Sequence, residues 1–507
     1  RRRHAANILL LLLTATIILI SKNRMNLQTL LWPGTQYDND SEAPPPPGSF
    51  GCPFLGKDFY TGSVDYGPFA ALGKLNKKFG SIFKLYSLGM PIVSVSGVEN
   101  IKSLFKYEFS SEGINTYMMG KKNVGPIFGE EAILYETNAE KHGMLRRLVG
   151  SAMTPAAIGA AIPSIQEAAS VQIGRVLEVD TIKMEKVFSD YTLDIAWKQI
   201  LGLDLEEDEV PAFHRAVEDW TVGVMNPMLL LPFRIPGVMR FTKVGRARKY
   251  LESAVEEKLA KLDRDGPDDN ATVSKLYFAT DDDGTTKLTR RQVIDNALLL
   301  IFAGTETSAS TLTCASLILA LHPNAWKKIK DEQIDICSEY GEELGLESLE
   351  QCVYLEAVIK ETLRIKPVEV AELRKVEKTI VVDGNQIPQK WFAMANIKQT
   401  HMNDQATHKE DGSHMDILKG FQPERWLDET TKPLAWMPFG YGRHRCIGER
   451  LAMTEMKIFL ALLARKVDYI LVHPPNEQHG GIVWKTNTAM ARPMDGVEVR
   501  AHAAVFG

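Results

Sequence analysis

A chain of 507 residues with a net charge of −5 lacks the concentrated positive field that nucleic acid demands, so no nucleic-acid partner is expected. Its hydrophobic fraction of 45% and charged fraction of 24% describe a globular protein with a large core rather than a disordered or fibrous one. The five cysteines, Cys52, Cys314, Cys337, Cys352 and Cys446, include no Cys-x-x-Cys pair, which argues against a zinc site or disulfide scaffold and for a reduced compartment.

Arg1-Arg2-Arg3 precedes an uncharged run from Ala5 to Ile20, followed by Ser21-Lys22-Asn23-Arg24. As a helix the 16 residues of that run reach roughly 24 Å, a little short of a bilayer core. A removable signal peptide and a retained anchor compete here. No small-x-small cleavage site follows Ile20, so residues 1–24 read as a membrane anchor contacting lipid, with its orientation left open by basic residues on both sides. Residues 25–49 end in Pro44-Pro45-Pro46-Pro47-Gly48 and read as a stiff extended linker, with the folded body over 50–507.

Ser81 to Ser96 predicts two strands around a turn at Gly89-Met90-Pro91. From Glu140 onward amphipathic helices dominate. Behind a solvated loop, Asp281-Asp282-Asp283-Gly284, the segment Arg291 to Leu321 predicts one unusually long apolar helix interrupted at Gly304. A further helix is expected over about Leu349 to Ile365, short strands near Thr379–Val382 and Trp391–Ile397, and a last helix over about Gly448 to Lys466. Helices outweigh strands, and the strands gather towards the two ends: a mainly α fold with small β-sheets, of the α+β class. No repeat of fixed period is visible.

Three segments carry chemistry. Cys446 lies in a glycine-rich loop, Pro438-Phe439-Gly440-Tyr441-Gly442-Arg443-His444-Arg445-Cys446-Ile447-Gly448, directly before a helix. A lone cysteine is most often a buried apolar residue. In this loop, however, the sulfur faces a helix N-terminus, whose N–H groups and dipole favour a thiolate, and the glycines permit a tight turn and close approach to a flat ligand. Within the long helix, Ala303-Gly304-Thr305-Glu306-Thr307-Ser308 places a glycine and several hydroxyls where a helix interior disfavours them. Either this is a tolerated kink, or Thr307 bonds back to the Ala303 carbonyl and opens a groove. Glu361 and Arg364, three apart, share a helix face; a surface ion pair is the ordinary reading.

The loop resembles the cysteine-loop signature of the cytochrome P-450 family, Phe-x-x-Gly-x-Arg-x-Cys-x-Gly, through Phe439, Gly442, Cys446 and Gly448. It departs in having His444 where the family usually has Arg. The 303–308 segment resembles the family's oxygen-binding pattern at all six positions. The resemblance implies a fold with the long helix over a haem and the thiolate loop beneath it, with residues 50–507 as the catalytic domain. It further implies haem b (iron protoporphyrin IX) ligated by Cys446, with Phe439, Gly440, Gly448 and Ala303 against the cofactor. A thiolate ligand donates electron density to haem iron and favours O–O cleavage. On the same basis Gly304 leaves room for O2, and Thr307 and Glu306 relay protons. His142, Arg146, Arg374 and His444 bond the haem propionates, the contact through His444 being sensitive to pH. Glu361, Arg364 and, from the Pro-Glu-Arg segment, Arg425 form a buried structural triad. The substrate pocket falls to Tyr117, Met118, Phe128, Leu299, Phe302, Ala303 and Thr307.

No flavin or nucleotide-binding domain accompanies these motifs, so electrons come from a partner, an NADPH-dependent flavin reductase or a ferredoxin-type donor. Arg443 and Arg445 are either its docking charges or plain solvated ones. The apolar, proline-broken stretch Met225 to Met239 is either a buried connection or a lipid-dipping channel mouth. Membrane attachment points to the endoplasmic reticulum with the catalytic domain facing the cytoplasm, or to a plastid or other organelle membrane. Thr400-His401 and Leu463 to Tyr469 look like the retinoid-hydroxylating branch, whereas Gly442 to Glu449 looks like the sterol 14-demethylases. The expected activity is therefore monooxygenation of a lipophilic sterol, retinoid or other isoprenoid. The alternatives are a sterol 14-demethylase, a reductant-independent lipid hydroperoxide isomerase or dehydratase, and a non-catalytic haem carrier.

Overall fold

The computed structural model describes residues 28, 31–51, 70–87, 89–109, 113–116, 125, 127–224, 241–268, 270–475, 482–485 and 492–504. The proposed anchor at 1–24, the pocket residues Tyr117 and Met118 and the stretch 225–239 lie outside them. The chain divides into two compact units.

The smaller unit, built from the N-terminal region to Asn115 and from Ala371–Gln399, centres on a sheet. Its strands run in the order Ile82–Ser87, Met90–Val95, Phe392–Ala395, Glu372–Val376, Ile114–Thr116. The first two form the predicted hairpin, antiparallel with Ile82 opposite Val95, and Met90–Val95 then pairs in parallel with Phe392–Ala395. Residues 31–49 are not a free stalk. Tyr37 and Phe50 lie 5.5 and 5.6 Å from the buried Trp391 ring. The carbonyls of Pro44, Pro46 and Pro47 accept from Gln386 N, Lys84 Nζ and Lys84 N. Proline lacks the N–H but keeps its acceptor, so the run docks against the sheet instead of standing off it.

The larger unit is helical and holds two buried apolar clusters. Its central element is the helix Arg290–Leu321, opened by a capping box in which Thr289 Oγ accepts from Gln292 N and the Gln292 side chain accepts from Thr289 N. The helix is continuous through Gly304, contrary to the expected interruption, because Thr305, Thr307, Thr311 and Thr313 return their hydroxyls to carbonyls four residues earlier and leave the backbone ladder intact. It passes through the core rather than lying on it, which explains an apolar character all round. The helix expected over Leu349–Ile365 is two, Leu346–Glu350 and Val353–Ile365, parted at Gln351-Cys352. The last helix is Glu449–Lys466. A three-stranded antiparallel sheet closes the unit, in the order Thr181–Lys183, Glu498–Ala503, Val467–Leu471.

Candidate active site

The site is assembled in the larger unit. Gly440 and Gly442, at φ 76° and 77°, turn the chain in a region that favours glycine, and Cys446 N then donates to the Phe439 carbonyl at 2.8 Å, closing the loop. Gly448 has an ordinary φ of −90° and caps the following helix; a Cβ there meets only the Cys446 sulfur, at 4.0 Å. The Cys446 side chain is accessible, although protein atoms crowd its sulfur. Arg146 Nη2 braces the loop through the Arg445 carbonyl at 2.7 Å. Arg445 is itself paired with Glu449 through two 2.9 Å hydrogen bonds. The His142 and His444 rings lie 4.4 Å apart, so two of the expected propionate donors are brought together beside the cysteine loop.

The helix N-terminus does not by itself create a thiolate. Burial pushes the Cys446 thiol up, and the adjacent Glu449 pushes it further. The Gly448 N–H and the guanidiniums of Arg146 and Arg445 pull it down without prevailing. A coordinated metal ion displaces such a proton outright.

The long helix is buried along most of its surface, but Leu299, Phe302, Glu306 and Thr307 are partly open and Ala303 is exposed. Positions 299, 303 and 306/307 recur at helical spacing, so they form one stripe facing an opening. A Cβ on Gly304 would touch nothing within 4 Å. Thr307 Oγ donates to the Ala303 carbonyl at 2.6 Å, the predicted back-bond, which leaves the hydroxyl oxygen as an acceptor. Phe128 corrects the expected pocket. It is 1% exposed and packs edge-on behind Phe302 at 4.6 Å with Trp220 6.2 Å away, so it braces the wall instead of lining it.

Glu361 is fully buried, and Arg364 grips it through Nε and Nη2 at 2.8 Å each, with Arg425 Nε at 3.0 Å. The sequence reading missed its other partners, Trp426 Nε1 at 3.0 Å and Gln422 N at 3.1 Å. Five N–H donors from four residues satisfy a carboxylate charge that would otherwise be costly in the core. His401 connects this cluster to the cysteine loop: Met437 N donates to its Nε2 at 3.0 Å, so its Nδ1–H donates to the Arg364 carbonyl at 3.1 Å. Arg374 belongs to the smaller unit, where Glu108 and Glu372 hold its guanidinium at 3.1 and 2.8 Å.

A family model, Cytochrome P450, matches residues 44–492. The chain belongs to the cytochrome P450 family. It is 28% identical over 433 residues to abscisic acid 8'-hydroxylase 1 of Oryza sativa subsp. japonica, covering 83% of this chain and 84% of that one. To cytochrome P450 26A1 of Danio rerio it is 27% identical, covering 88% and 90% of the two chains. A solved structure titled retinoic acid bound cyanobacterial CYP120A1 superposes with a TM-score of 0.75 at 25% identity, covering 91% of this chain and 100% of that one. The P450 is thus a monooxygenase with haem b as cofactor, molecular oxygen as co-substrate, a separate electron donor and a lipophilic substrate. The described residues fit that cofactor. They contain no cluster of three His, Cys, Asp or Glu able to hold a metal ion, so an ion bound by the accessible Cys446 sulfur must bring its remaining ligands with it, as the iron of a porphyrin does.

Proposed function

We propose that this P450 hydroxylates a retinoid or a related isoprenoid. The observation that carries the reading is an apolar stripe, Leu299, Phe302 and Ala303, ending at the back-bonded Thr307 on the same helix face. The names of its relatives agree, since abscisic acid, retinoic acid and the substrate of the 26% identical beta-amyrin 11-oxidase of Glycyrrhiza uralensis are all isoprenoid.

Held through the Cys446 sulfur, haem would supply the oxygen-activating chemistry. The protein's own residues do the rest. Phe439 and Gly440 would shield the sulfur side, Gly448 would keep the helix start close, and His142, Arg146 and His444 would hold the propionates. The role of Arg374 as a further propionate donor rests on the resemblance alone. The Thr307 oxygen, its proton committed to the Ala303 carbonyl, would accept from a water in the groove, and Glu306 would renew protons there. Phe302, Leu299 and Ala303 orient the apolar skeleton; the assignment of Tyr117 and Met118, outside the described residues, to the pocket rests on the resemblance alone. Electrons come from an NADPH-dependent flavin reductase, and residues 1–24 anchor the enzyme in the endoplasmic reticulum membrane with the catalytic domain facing the cytoplasm.

The test is a binding titration of the purified holoenzyme with retinoic acid, abscisic acid and a sterol panel, followed by turnover with a flavin reductase. Displacement of the haem absorption and a hydroxylated product with one of the isoprenoid acids are expected. Response to sterols alone overturns the substrate assignment.

A further inference from the structure

Arg492 stands outside every motif named above, yet it is only 8% exposed and spends its whole guanidinium on one turn of the long helix and on one further carboxylate. Nε donates to Ser310 Oγ at 2.6 Å; Nη2 donates to the Glu306 carbonyl at 3.0 Å and to the Glu306 carboxylate at 2.5 Å. Nη1 reaches Glu185 at 3.3 Å, a carboxylate that Lys485 Nζ also grips at 2.6 and 2.7 Å. Two acids and two bases therefore alternate from the start of the helix Met184–Ile195 to the long helix, mostly out of water. Charge-assisted bonds of this kind are short and directional, and Arg holds them in a rigid fork that Lys does not reproduce.

The gripped turn, Glu306 to Ser310, contains Thr307. Thr307 is further tied at its own carbonyl by Thr311 Oγ at 3.0 Å. We propose that Arg492 is a positioning residue of the reaction: by holding Glu306 twice and Ser310 once, it fixes the turn that presents the Thr307 hydroxyl and governs how readily the Glu306 side chain exchanges protons with the groove. The inference rests on the roles assigned to Thr307 and Glu306 under the proposed function and adds the group that controls them. Without Arg492, the Glu306 carboxylate loses its one ion-pair partner among the described residues and the turn loses its side clasp. Protons then reach the reduced oxygen in the wrong order. Oxygen leaves as hydrogen peroxide, taking two electrons from one NADPH and two protons, instead of being reduced and split with its electrons used productively.

The experiment compares the full-length protein with its Arg492→Gln, Arg492→Lys and Lys485→Gln variants, the last leaving the Glu306 contacts in place. Hydrogen–deuterium exchange of haem-free and haem-loaded protein is expected to show the 303–311 amides exchanging at least tenfold faster in Arg492→Gln. The Ser81–Ser96 hairpin and the Lys485→Gln protein should be unchanged. With NADPH, oxygen and a flavin reductase but no substrate, peroxide released per NADPH is expected to rise at least twofold in Arg492→Gln and to return part-way in Arg492→Lys. The thiolate-type spectrum of the reduced carbon monoxide complex should persist in all three. A normal spectrum with unchanged exchange, or with unchanged peroxide yield, overturns the assignment to Arg492. Loss of the thiolate-type spectrum from the unaltered protein would instead refute the haem-thiolate site and leave the clasp to be judged by exchange in the haem-free protein.

Discussion

Glu455 gives the sharpest physical prediction, because it is a carboxyl group in the core with no cation to hold its charge among the described residues. It sits on the helix that follows the cysteine, 4% exposed, and accepts from the Ser308 hydroxyl of the long helix, one residue past Thr307. Its backbone carbonyl accepts from the Tyr191 hydroxyl at 2.9 Å. Burial pushes its pKa from 4.5 up to about 8, only partly offset by Ser308, so the folded protein carries a neutral acid at pH 7. In the unfolded chain the same group ionises near 4.5, and between these two values unfolding releases a proton. The stabilisation that follows from keeping the proton is therefore complete below about pH 4.5, falls as pH rises and is lost above about 8. At about 1.4 kcal/mol per pH unit the full span amounts to roughly 5 kcal/mol at most. Glu455→Gln keeps the shape and a carbonyl for Ser308 but cannot ionise. Urea unfolding of the two proteins should give stabilities that diverge in favour of the variant from about pH 5 to about pH 8, by roughly 1 kcal/mol per unit. Parallel curves across that range would mean that Glu455 is ionised in the fold, and would refute the reasoning.

His401 carries the opposite sign. Its two backbone bonds need a neutral ring, and burial holds its pKa at about 4 instead of 6.5, so its contribution is present above pH 6.5 and is lost as pH falls through 4, by roughly 3 kcal/mol; the thiolate-type spectrum of the holoenzyme should fade over that interval and fade less steeply in His401→Gln. Glu361→Gln leaves Arg364 and Arg425 facing a neutral amide in a dry site, which should cost about 3–5 kcal/mol and appear as a large fall in haem bound per polypeptide. Gly304→Ala adds a Cβ that meets no protein atom, so the haem-free protein should gain roughly 1 kcal/mol in thermal unfolding, while carbon monoxide binding to the reduced holoenzyme slows if the glycine keeps room over the iron.

What was legible in the sequence was what is local. The apolar run of the long helix, the hairpin at 82–95 and the glycines at 440 and 442 each depend on neighbours a few positions away. The expected break at Gly304 failed for an instructive reason. Propensity priced the glycine and hydroxyls as helix breakers, but hydroxyls inside a buried helix have only the preceding carbonyls to satisfy them, and bonding there keeps the helix going. The proline run failed similarly. Its composition reads as a solvated stalk, yet a row of carbonyl acceptors beside donors on Lys84 and Gln386 is also half of a docking surface, and no local rule reports where those donors will be.

The site divides along the same line. Cys446 and Thr307 could be found because the loop and the i to i−4 back-bond are written in consecutive residues. The groups that hold them in place join segments far apart in sequence: Ser308 to Glu455 across 147 residues, Glu306 to Arg492 across 186. One of these left a trace. Glu455 interrupts an apolar helix surface, and a buried polar group must find a partner, so an acid in that position announces a polar companion without naming it. Arg492 left none, since an arginine near a chain's end ordinarily means solvent. Its meaning comes entirely from what surrounds its guanidinium: Ser310, Glu306 and Glu185. A residue whose role is to hold another residue is invisible to any motif that describes the second residue alone, and in this enzyme the turn bearing Thr307 is held from two sides by such residues.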